Sequence, residues 1–128
     1  MEKESKGRVW AARVSSGLAT LFLLVDAFGK LVRPAPVVEG TMRLGYSEGV
    51  LIPLGLLLGT CTLLYVFPRT TFLGAILLTG YLGGAVASHV RMGDSLFSML
   101  FPVVVGTVLW GGLWLGDARL RALVPLRT

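Results

Sequence analysis

Residues 47–90 read SEGVLIPLGLLLGTCTLLYVFPRTTFLGAILLTGYLGGAVASHV, two apolar stretches joined only by Pro68-Arg69-Thr70. Each stretch, roughly residues 47–67 and 70–90, reaches the ~20 residues that an α-helix needs to cross about 30 Å of hydrocarbon. In lipid every backbone N–H and C=O must be satisfied within its own segment, which a helix achieves. So short a polar turn makes the two helices antiparallel neighbours. Outward from this hairpin the pattern recurs at roughly residues 9–32 and 96–116, and Arg91–Ser95 is a second short turn. The expected fold class is all-α: an integral membrane antiparallel four-helix bundle, with residues 1–128 forming a single transmembrane domain.

The composition agrees. Hydrophobic residues make up 54% and charged residues 15% of the chain, and the mean hydropathy is +0.76. A soluble domain of this size needs far more polar surface. Four spans leave a head of about eight residues and a tail of about twelve, so no soluble catalytic domain is expected. The net charge of +5 does not point to nucleic acid, because the basic residues flank apolar spans and form no continuous patch with interleaved aromatics. The lipid bilayer is the expected partner, and nucleic acid is not.

Cys61 is the single cysteine, which excludes intramolecular dithiol chemistry and reads as a small apolar side chain. One histidine and one distant cysteine supply too few soft ligands for zinc or iron, so no metal site is expected. No motif for a covalently bound cofactor is present. A basic head before an apolar run resembles a signal peptide, but this run is too long, contains Asp26 and Lys30, and lacks an A-x-A-like site. It reads as an uncleaved first span.

Assigning the basic residues to alternate sides puts eight (Lys3, Lys6, Arg8, Arg13, Arg69, Arg119, Arg121, Arg127) on the side of the termini and four (Lys30, Arg33, Arg43, Arg91) on the other. The positive-inside bias then predicts cytoplasmic N and C termini in a multi-pass protein. Trp10, Trp110 and Trp114 fall near the same side, where amphipathic rings prefer to lie.

Loop 33–46 is the long connection. It opens with Pro34-Ala35-Pro36, which favours extended backbone, ends the first helix and is expected to lie over the outer mouth. Small residues recur at four-residue spacing in Gly55/Gly59, Gly80/Gly84/Ser88 and Gly112/Gly116, as expected of packing seams in lipid or of a face for a second copy. Pro53 and Pro102 each remove an amide donor several residues below the outer ends of their spans. Breaks at membrane depth are tolerated against protein or a cavity, so the pair reads either as a pocket open to the outer leaflet or as ordinary kinks.

The polar residues that interrupt the pattern gather at the predicted outer end: Asp26, Lys30, Arg33, Glu39, Arg43, Glu48, His89, Arg91 and Asp94. Asp26 and Lys30 share one helix face at i, i+4. Asp26 lies about 10 Å down the helix from Arg33 at 1.5 Å per residue, too short to snorkel, so it should face the bundle interior or a wet cavity. One reading makes Asp26–Lys30 a structural ion pair that orients span one. The other makes Asp26, Lys30, Glu48, His89, Arg91 and Asp94 ligand-binding residues, with Asp26, Glu48 and His89 as candidate catalytic groups. In that second reading His89 turns inward beside Asp26 or Glu48, where a carboxylate–imidazole pair binds or shuttles a proton near neutral pH.

Phe28-Gly29-Lys30-Leu31, Leu44-Gly45-Tyr46, Pro68-Arg69-Thr70, Leu78-Thr79-Gly80-Tyr81-Leu82-Gly83-Gly84-Ala85 and Ser88-His89-Val90-Arg91-Met92-Gly93-Asp94 occur in this order and spacing. Taken together, from about residue 20 onward, the chain resembles the DoxX-like family of small four-span bacterial membrane proteins. The resemblance implies a four-helix membrane fold in the bacterial cytoplasmic membrane. Relatives in the wider superfamily resemble a quinone-linked oxidoreductase subunit, partners of thiol-redox complexes, and eukaryotic receptor-assembly chaperones or cargo receptors. Many similar sequences carry a glutamate inside span two, where this chain has Leu58.

Fold does not choose among these roles. The first expectation is a site for a lipophilic small molecule, quinone-like or terpenoid-like, between the helices at the outer end. In a redox version its polar residues relay protons while a partner supplies electrons. The second is a chaperone or accessory subunit that acts through contacts with a membrane protein partner or as a homo-oligomer. The third is an acid-base isomerase or cyclase on a lipophilic substrate.

Overall fold

The computed structural model describes residues 6–127; Lys3, counted above among the basic residues of the terminal side, lies outside the described residues. Six α-helices and two short 3-10 turns follow one another, with no strand among the described residues. They are α1 (Lys6–Val32), α2 (Ala35–Arg43), α3 (Leu51–Val66), α4 (Thr71–Arg91), α5 (Leu96–Gly116) and α6 (Ala118–Leu123). Four segments are long and apolar enough to cross a membrane: Lys6–Val32, Glu48–Val66, Pro68–Arg91 and Leu96–Gly116. The chain is a multi-pass, all-α membrane bundle.

The long helices form a square. Helix α1 packs on α3 and α5, α4 packs on the same two, and α1 and α4 face each other across the diagonal. Leu23, Leu58, Leu78 and Leu109, one from each long helix, are fully buried and meet at the waist. There the Tyr65 hydroxyl lies 3.0 Å from Ser16 Oγ and donates to the Leu109 carbonyl at 2.9 Å, which ties α3 to α1 and α5 without leaving a bare polar group.

Glycine sets how closely the helices approach. A Cβ on Gly74 would lie under 3 Å from the Tyr65 backbone, one on Gly112 would lie 2.8 Å from Ser16 N, and one on Gly55 would lie 2.9 Å from Leu31 Cδ2. Gly55 and Gly112 act as the expected seams, and Gly74, outside the expected rows, is the tightest approach of the three to a neighbouring backbone. The row Gly80/Gly84/Ser88 does not: a Cβ on Gly80 or Gly84 would meet nothing within 4 Å. These glycines face a void, because α1 stands across the diagonal from them.

Two expectations about proline change. Pro34-Ala35-Pro36 does not open an extended loop. Arg33 takes a left-handed backbone (φ 61°) and gives its N–H to Gly29 O, ending α1, and Pro34 is extended (ψ 157°). Pro34 then serves as the N-cap of α2, and Pro36 sits in the first turn, where a missing amide donor costs nothing. Likewise Pro53 is the third residue of α3 and so falls within its first turn. Pro102 is buried inside α5.

At the opposite end the Asp117 carboxylate caps α6 by accepting from the Arg119 and Leu120 amides. Arg121 donates to the carbonyls of Trp114 and Leu115, which α5 leaves without helical partners, and Trp114 Nε1 donates to Val124 O. The end covered by α2 is the capped end, and the end where the described residues begin and finish is the open end.

Candidate functional site

Two turns of the same design build the capped end. After α2, Gly45 adopts φ 94°, Gly45 N–H bonds to Met42 O, and Tyr46 N–H reaches back to Thr41 O. After α4, Gly93 adopts φ 66°, Gly93 N–H bonds to Val90 O, and Asp94 N–H reaches back to His89 O. Both are helix ends in which a left-handed glycine turns the chain back on itself, and each aims the following side chain inward. Tyr46 points at Ser88, and Asp94 points at His89.

Ser88 has one hydroxyl proton and donates it to Gly84 O at 2.9 Å, so in the 2.6 Å bond between Tyr46 and Ser88 the tyrosine donates. His89 Nδ1 lies 2.7 Å from Asp94 Oδ2, and Asp94 Oδ1 accepts the Ser95 amide at 3.0 Å. The hydrogen bond with His89 first, and the Ser95 amide next, hold the Asp94 carboxyl below its ordinary value of 3.8. Because Nδ1 faces the carboxylate, Nε2 is the nitrogen left to meet a guest. Arg91 donates to Leu44 O at 2.9 Å and lies 5.9 Å from the centre of the Tyr46 ring. Helix α2, which buries no side chain of its own, is held down by the residues at its end.

Under α2 lies a chamber of about 620 Å³. Asp26 and Lys30 from α1 line one side; the two are paired at 2.5 Å, with the lysine side chain only 15% exposed. Across from them stand Tyr81, Ser88 and His89 of α4, with Asp94 beside the turn, Tyr46 and Arg43 from the cap, and apolar walls that include Val37, Val50 and Leu54. The floor on the α4 side is Gly80 and Gly84.

Of the residues singled out from the sequence, Asp26, Lys30, His89 and Asp94 share this chamber, whereas Glu48 and Arg91 do not line it. Glu48 sits at the start of the 3-10 turn before α3 and pairs loosely with Arg33 at 3.7 Å, both half-exposed. Arg91 clamps the cap from outside. His89 turns to Asp94, five residues along its own chain, and not to Asp26 or Glu48. Neither Pro53 nor Pro102 borders the chamber; Pro102 lines a separate apolar groove between α4, α5 and α6. Leu58, at the position where similar sequences carry an acid, is fully buried in the core. Tyr46, Tyr81 and Ser88 were missed. A tyrosine within an apolar run reads as an interface aromatic, but the four-residue register of Gly80, Gly84 and Ser88 does put Ser88 on the open face. Among the described residues no group of acidic, histidine or cysteine side chains is arranged to hold a metal ion.

The order of these motifs has a counterpart among known proteins: a profile of the DoxX-like family matches residues 14–112. The chain belongs to the DoxX-like family. The matched stretch holds every residue of the chamber, from Asp26 to Ser98, and stops short of α6. Leu44-Gly45-Tyr46 and Ser88-to-Asp94, two of the segments that carry the resemblance to the DoxX-like family, are the two interlocked turns. No curated protein and no solved structure matches the chain.

Proposed function

We propose that this DoxX-like protein holds one lipophilic molecule with a polar head, of the quinone-like or terpenoid-like class, in the chamber under α2. The observation that carries this reading is the chamber itself. Its volume of about 620 Å³ falls in the usual range for small-molecule sites, and its lining combines apolar walls with a few convergent polar groups. Asp26, Lys30, Tyr46, Ser88 and His89 would meet the head, while the walls below take an isoprenoid-like tail. In a membrane redox system, Asp26 and the His89–Asp94 pair exchange protons with the head while a partner protein exchanges the electrons. The excess of basic residues at the open end supports an orientation with both termini in the cytoplasm and the chamber on the outer side of a bacterial cytoplasmic membrane.

A second reading, an accessory subunit docking to a membrane protein partner, draws support from the apolar groove of about 580 Å³ along α4 and α5. There Gly83 and Gly111 have nothing within 4 Å of a built Cβ. One experiment separates the two: purification in mild detergent followed by mass spectrometry of retained lipids and quinones, comparing wild type with Gly84→Leu and Asp26→Ala. Gly84→Leu places an apolar side chain into the chamber from a position where a Cβ meets nothing within 4 Å. Loss of a retained molecule in both variants supports the binding reading. Identical background lipids in all three sink it, and a stoichiometric co-purifying protein points to the accessory role.

A further inference from the structure

The open end has its own concavity, a cleft of about 670 Å³ between α1, the α3–α4 turn, α5 and the start of α6. Arg13 and Arg119, more than a hundred residues apart in the chain, line it together with the hydroxyl side chains Ser16 and Thr71. Among the described residues this end carries seven basic side chains (Lys6, Arg8, Arg13, Arg69, Arg119, Arg121, Arg127) against one acid, Asp117. That acid also lines the cleft, but it is engaged: its carboxylate accepts from the amides of Arg119 and Leu120 and lies 3.4 Å from Arg119 Nη2. Partial burial works to raise the Asp117 carboxyl, but these hydrogen bonds outweigh it and hold it low, so the residue stays ionised. The positive-inside bias accounts for the sign of this end, but it does not require two arginines from distant segments to share a cleft.

Depth identifies the occupant. A Cβ on Gly116 would touch Ala12 at 3.4 Å, which sets Arg13 level with the last turn of α5. At that level the apolar span gives way to charged α6, as at the boundary between acyl chains and head groups. Beyond the arginines the cleft is walled by Val66, Phe72 and Leu113. A bare inorganic anion would leave this half of the cleft unused. A phospholipid fills both halves, with its phosphate between the guanidinium forks and its chains along the apolar wall. We propose that the open-end cleft binds the phosphate group of an anionic phospholipid, with Arg13 and Arg119 as its direct ligands. The proposal does not depend on what the chamber under α2 holds.

The test uses the full chain in nanodiscs of phosphatidylglycerol or phosphatidylcholine, with native mass spectrometry of the lipids retained on release and the thermal unfolding midpoint as a second readout. Wild type should retain phosphatidylglycerol selectively and unfold at a higher temperature in it. The double variant Arg13→Gln/Arg119→Gln should lose about tenfold or more of that retention, as expected when two basic contacts near a membrane surface are removed. It should lose the midpoint shift as well, whereas Arg33→Gln at the other end keeps both. Arg13→Lys/Arg119→Lys, which keeps charge but not the fork, should fall between. Should the double variant fail to fold, Arg119→Gln alone carries the test, since that side chain is 85% exposed. Equal retention of phosphatidylglycerol by wild type and the glutamine variants overturns the proposal. So does a midpoint raised by inorganic phosphate in phosphatidylcholine nanodiscs as much as by phosphatidylglycerol, which would assign the site to a free anion.

Discussion

The two ends of this bundle handle charge in opposite ways. Among the described residues the capped end holds four basic side chains and four acids; Asp26–Lys30 and Arg33–Glu48 are ion pairs, and Asp94 is hydrogen-bonded to His89. The open end has, among the described residues, seven basic side chains against one acid, Asp117. Paired charges lose less when water is excluded, which lets the capped end enclose a chamber; an excess of one sign is better kept in contact with solvent or an external anion. Glycines also divide by what they face: a Cβ on Gly74 or Gly112 would strike a neighbouring helix, as would one on Gly55, whereas Gly80 and Gly84 border the open space of the chamber.

The largest effect that tests this contrast comes from alanine at matched glycines. Gly74→Ala drives a methyl into the Tyr65 backbone and should cost about 1–3 kcal/mol, the usual range for overpacking. Gly80→Ala meets open space and should stabilise by up to about 1 kcal/mol, the helix propensity difference. Thermal unfolding in one detergent measures both, and equal signs would break the contrast. Next, Arg91→Ala removes the donor to Leu44 O and the cation beside Tyr46, so α2 should open more readily by about 1 kcal/mol. Hydrogen exchange at the amides of residues 37–43 should then speed up about fivefold while the waist amides stay unchanged.

Tyr46→Phe deletes only the bond to Ser88 and should loosen the cap by about 0.5–1 kcal/mol, read by the same exchange measurement. The smallest effect is one of pH. Asp94 is lowered in the folded protein, so its contribution is complete above its ordinary value of 3.8 and disappears as pH falls through the lower folded value. A wild-type midpoint that drops on acidification from about pH 6 to about pH 3, and drops less in Asp94→Asn, sharpens the assignment. Identical pH profiles remove it.

The bundle was legible because four runs of apolar residues admit few other folds, and the seams at Gly55 and Gly112 followed from spacing alone. Spacing does not tell which neighbour a row faces, so Gly80 and Gly84 read as contact when they border a void. Helix α2 escaped notice because Pro34 and Pro36 suppress helix everywhere except at its start, and that is where they lie. The grouping of Asp26, Lys30 and His89 at one end came from helix length and orientation. The partner of His89 did not, because the expected carboxylates, Asp26 and Glu48, belong to other helices, whereas Gly93 folds the chain so that Asp94 answers from five residues away. Glu48 and Arg91 show the same limit. Placing a residue at one end of a helix does not fix the direction in which its side chain leaves it.

The buried leucines at the waist have a consequence for permeability. Leu23, Leu58, Leu78 and Leu109 are all fully buried in the core and put a layer of apolar side chains at the waist. A fixed charge or a proton crossing this layer would shed its hydration without gaining a polar partner from these four side chains, so the leucines stand as a barrier to ions.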